Sequence, residues 1–257
     1  MNLENSNSKA ERLVESARHL AKESEALRFA LPITHVYNPL IYARAPHEAY
    51  IRRFAASHKR VVFVGMNPGP WGMAQTGVPF GEVGMVRDWM GIEGPVGSPG
   101  SPHPKRPIEG FGCTRSEVSG RRLWGLARGR FGEASAFFAD HFVANYCPLV
   151  FMEESGRNRT PDHLPVSESG PLFALCDLHL AEIARVLAPG WLIGIGRFAA
   201  ARIEAVVASL REEAAGGERS TLPATGAILH PSPASPLANR GWEAVVTQQL
   251  RDLGVWR

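Results

Sequence analysis

Apolar positions along the chain follow two spacings, one typical of buried strands and one typical of amphipathic helices. Short continuous apolar runs predict four strands, at 61–66, 142–145, 191–196 and 226–230. Helical spacing of the apolar residues predicts helices near 47–57, 83–90, 120–131, 168–187, 198–211 and 242–253. Strands that alternate with helices favour a parallel sheet covered on both faces. We therefore expect an α/β fold, a three-layer α/β/α sandwich around a mainly parallel sheet of about four strands.

The first thirty residues predict an amphipathic helix over 8–29, with Leu13, Ala17, Leu20 and Leu27 on one stripe. Its acidic and basic residues are mixed, so we interpret this helix as packing against the protein and not against a membrane. Residues 32–46 and 93–119 are expected to be irregular. Since no repeat or linker is visible, we predict one domain over 1–257, with 1–30 as a helical extension packed on it.

Two loops rich in Pro and Gly follow predicted strands directly. The first is Gly65–Met73, after Val61–Val64, and the second is His230–Pro236, after Ala227–Leu229. Pro and Gly at this density give stiff loops that can approach a ligand closely. Open α/β sheets bind ligands at the carboxyl ends of their strands, so we expect Asn67 and His230 to lie at one edge of the sheet.

Composition limits the classes of protein that fit. No apolar run approaches the roughly 20 residues that span a membrane, and the polar Met1–Lys9 segment lacks the apolar core of a signal peptide. The three cysteines, Cys113, Cys147 and Cys176, are too dispersed for a disulfide framework or a metal site. We expect a reducing compartment, no metal and no cofactor.

Basic residues are concentrated between His103 and Arg130, although the net charge of the chain is only +3. Two acidic residues, Glu109 and Glu117, oppose seven basic ones: Lys105, Arg106, Arg115, Arg121, Arg122, Arg128 and Arg130. Such a run is either a solvated helix face or a surface that faces phosphates, and its composition leaves both possibilities open.

The polar residues at the strand ends suit a pocket for a nucleobase. The Asn67 amide cannot take up a proton but can orient a water molecule, and His230 can donate to an oxygen that becomes negative. Asn145 offers a donor and an acceptor to a pyrimidine edge, and Phe80 offers a stacking face. Each residue alone also has a simpler interpretation: a turn residue, a capped core histidine, a strand-end amide and a core aromatic ring.

Ten ordered segments resemble the single-strand-selective monofunctional uracil-DNA glycosylase family. The similarity runs from about His35 to Leu253 and is carried by residues 36–40, 65–73, 74–83, 86–89, 103–107, 116–120, 145–149, 155–158, 230–233 and 241–245. An isolated His-Pro-Ser-Pro would be a weak signal, whereas this many segments in order are specific. The resemblance implies a uracil-DNA glycosylase fold in a bacterial-type member.

The resemblance also implies roles for individual residues. Asn67 matches the catalytic asparagine that positions water, and His230 matches the histidine that stabilises the departing base. Asn145 matches the reader of the uracil edge. Further base-binding residues implied by the family are Met66, Gly69 and Phe80. The loop Pro231–Pro236 matches a wedge that enters the duplex, and Ser155–Asn158 matches a segment that enters from the other side.

A set of DNA-binding residues follows from this resemblance and from the basic surface. It comprises Lys105, Arg106, Arg121, Arg122, Arg157, Asn158, Pro231, Ser232, Pro233, Ala234, Ser235 and Arg240. Vertebrate members carry a bulkier basic residue where Ala234 stands, so we expect a weak wedge and modest activity on fully paired sites. Trp71, in place of a more usual Phe, is interpreted as a wall residue.

The sequence therefore predicts a monofunctional DNA glycosylase that flips uracil and related damaged bases and hydrolyses their N-glycosidic bond, leaving an abasic site. Two alternatives stay open: a broader glycosylase that also removes deaminated purines such as xanthine, and a non-catalytic nucleic-acid-binding relative. We expect single- and double-stranded uracil-containing DNA as partner, no membrane association, a monomer and a location in the bacterial cytosol at the nucleoid.

Overall fold

The computed structural model describes residues 3–215 and 222–257. Seven strands are described: β1 (Ile33–Tyr37), β2 (Val61–Gly65), β3 (His141–Asn145), β4 (Val150–Glu153), β5 (Asn158–Arg159), β6 (Trp191–Ile195) and β7 (Ala224–Ile228). The described α-helices are α1 (Leu3–Glu25), α2 (Pro39–Tyr42), α3 (Arg44–Phe54), α4 (Met73–Thr76), α5 (Val118–Phe131), α6 (Ala134–Asp140), α7 (Val166–Leu187), α8 (Arg197–Ala215), α9 (Pro236–Asn239) and α10 (Trp242–Asp252). None of the helices in these two ranges is long and apolar enough to cross a membrane.

A four-stranded parallel sheet with the order β3-β2-β6-β7 lies at the centre, as the apolar runs predicted. Every residue of β2 is buried, which explains why this strand reads as a continuous apolar run. Helices flank the sheet, so the predicted α/β class is confirmed. The parallel arrangement brings the carboxyl ends of β2, β3 and β7 to one edge.

A second, antiparallel sheet with the order β1-β4-β5 corrects the prediction that residues 32–46 are irregular. That interval holds β1, which pairs with β4 through an irregular register between Ile33 and His35, followed by α2. Polar residues at Thr34 and His35 interrupt the apolar pattern, which concealed the strand. The helix expected at 83–90 is present as two α-helical residues, 83–84, followed by a π-helical segment at Met85–Trp89, and α6 was not predicted.

The amphipathic helix α1 packs with its apolar stripe against α3 and α7. Six of its side chains belong to the main hydrophobic core: Ala10, Leu13, Val14, Ala17, Leu20 and Ala21. Its polar face carries ion pairs such as Arg12–Glu182 at 2.8 Å. The division of the chain into one domain with a helical extension stays a prediction.

His141, at the start of β3, is a buried histidine held in its neutral form. Its Nδ1 donates to the carbonyl of Phe137 (3.1 Å), and its Nε2 accepts from the indole N–H of Trp256 (3.2 Å). Protonation would remove that acceptor. Burial, the largest cause, accordingly lowers the pKa of His141 from its ordinary 6.5 to about 4.

We expect the protein to lose stability as the pH falls from about 6.5 to about 4. The unfolded chain takes up the His141 proton near its ordinary pKa, whereas the folded protein resists until the lower value, so the unfolded state gains protons first. One pKa unit is worth about 1.4 kcal/mol, which puts the loss from this group on the order of 3 kcal/mol. Urea denaturation at pH 7.5, 5.5 and 4 measures it. His141→Phe should flatten the pH dependence, and an unchanged pH dependence in that variant would contradict this assignment.

Candidate active site

The loop after β2 is joined to the segment after β3 by hydrogen bonds that continue the parallel pairing. Tyr146 N–H donates to the carbonyl of Gly65 (2.9 Å), and Cys147 N–H donates to the carbonyl of Met66 (2.8 Å). Since both strand ends are fixed to one another, the side chains that follow them hold a defined relative position.

The amide of Asn67 is oriented by carbonyl groups of these two segments. Its Nδ2 donates to the carbonyls of Leu149 (3.1 Å) and Pro68 (3.4 Å). Both N–H bonds are therefore used for positioning, and Oδ1 is the atom that can accept a hydrogen bond from a water molecule. Asn67 can orient a nucleophilic water but cannot deprotonate it.

His230 follows β7 and is fixed in one tautomer by its own loop. The backbone N–H of Ser232 donates to Nδ1 at 3.1 Å, so the neutral ring carries its proton on Nε2. Burial lowers the pKa of His230 below its ordinary value, which keeps the ring neutral at physiological pH. The residue is thus a neutral hydrogen-bond donor.

Asn145 and Phe80 converge on Gly65, the last residue of β2. A Cβ added at Gly65 would lie 2.5 Å from Asn145 Oδ1 and 2.5 Å from Phe80 Cε2. Nδ2 of Asn145 contacts the sulfur of Met73 at 3.2 Å. A side chain at position 65 would displace the amide and the ring, which explains the glycine at the end of a strand whose other residues are Val and Phe.

Phe80 adopts a left-handed backbone conformation (φ 54°), which is strained for an aromatic residue. Helix α5 supports this conformation, since the indole N–H of Trp124 donates to the carbonyl of Phe80 at 3.0 Å. Gly120 lets α5 approach, because a Cβ there would lie 2.0 Å from the same carbonyl oxygen. The Phe80 ring centroid lies 6.2 Å from that of His230.

These segments surround one cavity of about 390 Å³. The predicted site residues that line it are Met66, Asn67, Gly69, Phe80, Asn145, Asn158, His230, Ser232 and Pro233. All six predicted catalytic and base-binding residues are therefore brought together, although their roles stay predictions. Among the described residues, no cluster of three or more His, Cys, Asp or Glu side chains is arranged to hold a metal ion.

Glu117 is a carboxylate in the cavity wall that sequence reasoning missed, because it is far from both loops in the sequence. A Cβ added at Gly69 would lie 2.6 Å from its Oε2, and one at Gly72 would lie 2.9 Å from its Cγ. The carboxylate also accepts from Ser119 N–H (3.4 Å) at the start of α5. Burial is the largest influence on Glu117 and raises its pKa. Glu117 thus packs behind the first loop and fixes its path.

Trp71 projects between two arginines. Its ring centroid lies 4.4 Å from the Arg115 guanidinium carbon and 5.4 Å from that of Arg106. Its neighbours Pro70 and Gly72 line the cavity. Trp71 itself is not among the described residues that line the cavity, so its interpretation as a wall residue gains no support. Its cation–π contacts hold both guanidinium groups next to the first loop.

Arg122 is placed differently from the other predicted DNA-binding arginines. Its guanidinium donates to the carbonyls of Pro231 (2.9 Å) and Ser232 (3.3 Å) and to Oδ1 of Asn239 (2.8 Å). These donors hold the second loop, so Arg122 positions the segment that orients His230. Of the predicted DNA-binding residues that neither line the cavity nor hold the second loop, Lys105, Arg121, Arg157, Ala234 and Arg240 are exposed, and Arg106 and Ser235 are half-buried. Pro231 is buried, which leaves it no surface for the predicted contact with DNA.

Comparison with known proteins agrees with this geometry. A family model described as the uracil DNA glycosylase superfamily matches residues 52–253, most of the chain. The chain belongs to this superfamily. The match covers both site loops and the whole central sheet.

Curated superfamily relatives align over nearly the full length. A bovine (Bos taurus) single-strand selective monofunctional uracil DNA glycosylase is 45% identical over 246 residues, covering 96% of this chain and 87% of the relative. The mouse (Mus musculus) protein of the same name is 44% identical over 96% of this chain and 85% of its own length. The crystal structure of wild-type Pedobacter heparinus SMUG2 superposes with a TM-score of 0.57 at 14% identity, over 93% of this chain and 97% of that one, and shows the same fold.

Proposed function

We propose that this protein is a monofunctional uracil-DNA glycosylase, which hydrolyses the N-glycosidic bond of uracil in DNA and leaves an abasic site for base excision repair. The observation that carries the proposal is the placement of Asn67 and His230 in one cavity, the first with a free carbonyl oxygen and the second with a proton on Nε2. The full-length similarity to monofunctional uracil-DNA glycosylases supports the same conclusion.

The reaction divides charge between the sugar and the base. As the bond from C1′ to N1 breaks, its electron pair leaves with uracil and the sugar becomes cationic. Asn67 Oδ1 holds a water molecule for attack on C1′. The proton that the water loses when the new C1′–O bond forms passes to the uracil anion, which leaves as neutral uracil. His230 Nε2–H donates to the O2 atom of the departing uracil anion. A preorganised donor of this kind typically contributes about 3–4 kcal/mol.

Base recognition rests on Asn145 and Phe80. The Asn145 amide presents a carbonyl oxygen and an N–H to the N3–H and O4 edge of uracil, and Phe80 offers a face for stacking. A duplex base must leave the helix to reach this cavity, at a cost of a few kcal/mol that is smallest for mismatched or unpaired nucleotides. Single strands and U·G mismatches are therefore the favoured substrates.

Strand cleavage through a covalent intermediate would need an amine in the cavity. The four lysines are Lys9, Lys22, Lys59 and Lys105. None of them is among the described residues that line the cavity. Lys59, whose pKa burial lowers to about 8, donates to the carbonyl of Phe138 in the interior. The reaction accordingly ends at base removal.

Asn145→Asp is expected to reduce single-turnover uracil excision by about 10²-fold or more, because the carboxylate repels O4 and the amide donor is lost. Asn145→Ala separates loss of the donor from introduction of a charge. Release of free uracil from a single-stranded oligonucleotide measures both. Excision by Asn145→Asp at the wild-type rate would show that this residue is structural.

Phosphate contacts are proposed for the arginines that Trp71 supports. Arg115→Gln should weaken binding to all DNA sequences equally and flatten the slope of log affinity against log salt by about one unit. Arg12→Gln is the matched control, because Arg12 is paired with Glu182. Fluorescence anisotropy across 50–300 mM salt measures the slopes. An unchanged slope in Arg115→Gln would place the DNA path elsewhere.

The proposed function is tested by a base-release panel on single- and double-stranded oligonucleotides that carry uracil, an oxidised thymine or xanthine. We expect release of uracil, with the single strand and the U·G duplex ahead of the U·A duplex. Release of xanthine at a comparable rate would extend the substrate range to deaminated purines. Binding without release of any base would support the non-catalytic alternative.

A further inference from the structure

The loop that carries His230 exposes an apolar side chain beyond the predicted wedge. Leu237, in α9, is 62% exposed, whereas the next residue, Ala238, is 2% exposed. Pro233, Ala234 and Pro236 are exposed as well, so Leu237 completes an apolar surface on this loop. A single exposed leucine is common on protein surfaces, but an apolar surface of neighbouring side chains beside a cavity is the kind of feature that marks an interaction site.

The segment that presents Leu237 is held at both ends. Arg122 donates to the carbonyls of Pro231 and Ser232 (2.9 and 3.3 Å) and to Asn239 Oδ1 (2.8 Å). Asn239 Nδ2 in turn donates to the carbonyl of Pro233 at 2.8 Å, which closes the loop onto itself. The loop is therefore preorganised and presents its apolar side chains without needing to fold on contact.

Within this loop, Ser235 starts α9 by accepting a hydrogen bond from the N–H of Ala238 (3.4 Å). Ser232 Oγ accepts from the N–H of Ala234 (3.1 Å). These short-range hydrogen bonds fix the turn between Ala234, the position expected to act as the wedge, and Leu237.

We propose that Leu237 is the side chain that enters the base stack of duplex DNA when a nucleotide is flipped into the cavity. This inference rests on the proposed function. Ala234 is too small to replace a base, whereas leucine is one of the apolar residues that separate base steps in DNA. Leu237 thus supplies the wedge that the alanine cannot.

Two observations favour DNA as the occupant of this surface. The loop is continuous with the cavity, since Ser232 and Pro233 line it. Cationic side chains border the loop, with Arg240 and Arg121 exposed, which suits a polyanion and opposes a purely apolar partner. In duplex DNA the stacked bases lie between phosphates, and on this loop the exposed apolar side chains lie between arginines. The two surfaces are therefore complementary.

Leu237→Ala tests the proposal, with Leu178→Ala as the matched control, because Leu178 on α7 is also 62% exposed. Single-turnover uracil release is measured on a U·A duplex and on the same uracil strand alone. We expect Leu237→Ala to slow the duplex reaction about tenfold or more and the single-strand reaction by less than about twofold, since only the duplex must be unstacked. Leu178→Ala should change neither rate.

Fluorescence of 2-aminopurine placed beside the uracil measures unstacking of the bases and does not depend on cleavage of the N-glycosidic bond. Wild type should raise this fluorescence on binding the duplex, and Leu237→Ala should raise it less. The wedge assignment is overturned if Leu237→Ala leaves the ratio of the duplex rate to the single-strand rate of uracil release unchanged, whether both rates fall equally or neither falls. A change in molecular mass between wild type and Leu237→Ala in light scattering would overturn it in favour of a contact between copies of this chain. If wild type releases no uracil even from the single strand, the proposed function fails, and fluorescence alone then decides the wedge assignment.

Discussion

Asn67→Ala is expected to abolish most uracil excision, with a fall in the single-turnover rate of about 10²-fold or more, the scale of loss when a reactant is no longer held in position. The amide is fixed by the carbonyls of Leu149 and Pro68, and its Oδ1 is the atom left to hold that water. Alanine removes the acceptor without adding bulk. The measurement is uracil release from a single-stranded oligonucleotide with enzyme in excess.

Binding provides the control for this variant. Asn67→Ala should keep its affinity for DNA that contains an abasic site, because the role proposed for Asn67 is to position water and not to hold the backbone. Asn67→Asp is informative too, since it restores an acceptor but not the amide donors that the two carbonyls require. A variant that folds, binds abasic DNA and still excises uracil at the wild-type rate would remove Asn67 from the mechanism.

His230→Ala should lower the excision rate by about 10²–10³-fold, the usual loss when one donor to a developing anion is removed. Ser232 N–H occupies Nδ1, so the proton faces the substrate from Nε2 in a ring that burial keeps neutral. Stabilisation of the leaving uracil is therefore lost, whereas substrate binding changes little. The loss should appear in the rate of the chemical step and not in the concentration that half-saturates the enzyme.

Nitrogen NMR of the histidine side chains tests the tautomer independently. The wild-type His230 ring should show a protonated Nε2 and an unprotonated Nδ1 at pH 7. The lowered pKa places the titration of His230 below the ordinary 6.5, so its ring should still be mostly neutral at pH 6.5. A His230 ring that is charged at pH 7 would contradict the neutral-donor role.

The central sheet and the two loops could be predicted because their residues are constrained locally. Because every residue of β2 is buried, its sequence is a continuous apolar run, and the loop that follows it is rich in Pro and Gly. The antiparallel sheet could not be predicted, because two consecutive polar residues, Thr34 and His35, break the apolar pattern of β1. The strand also pairs with β4 across more than 100 residues of sequence. Pairing over that separation leaves little trace in local composition.

The same distinction applies to the site. Asn67 and His230 stand in distinctive motifs, and the resemblance assigned them roles. Glu117 stands in segment 116–120 of the resemblance, but no role was assigned to it, and Arg122 stands in none of the segments. The contacts of both residues arise only when α5 packs against the first and the second loop. As a result Arg122 resembled a phosphate-binding arginine in the sequence, whereas the folded protein uses it to hold the second loop. Leu237 likewise stands out only through its exposure.

The most direct test of the account is a single-turnover assay of wild type and Asn67→Ala on one single-stranded, uracil-containing oligonucleotide, with free uracil and strand integrity followed together. We expect wild type to release stoichiometric uracil and to leave an intact strand that breaks only on alkaline treatment, while Asn67→Ala releases almost none. Strand breakage by wild type without alkali, or no uracil release from a folded wild-type protein that binds the oligonucleotide, would contradict it.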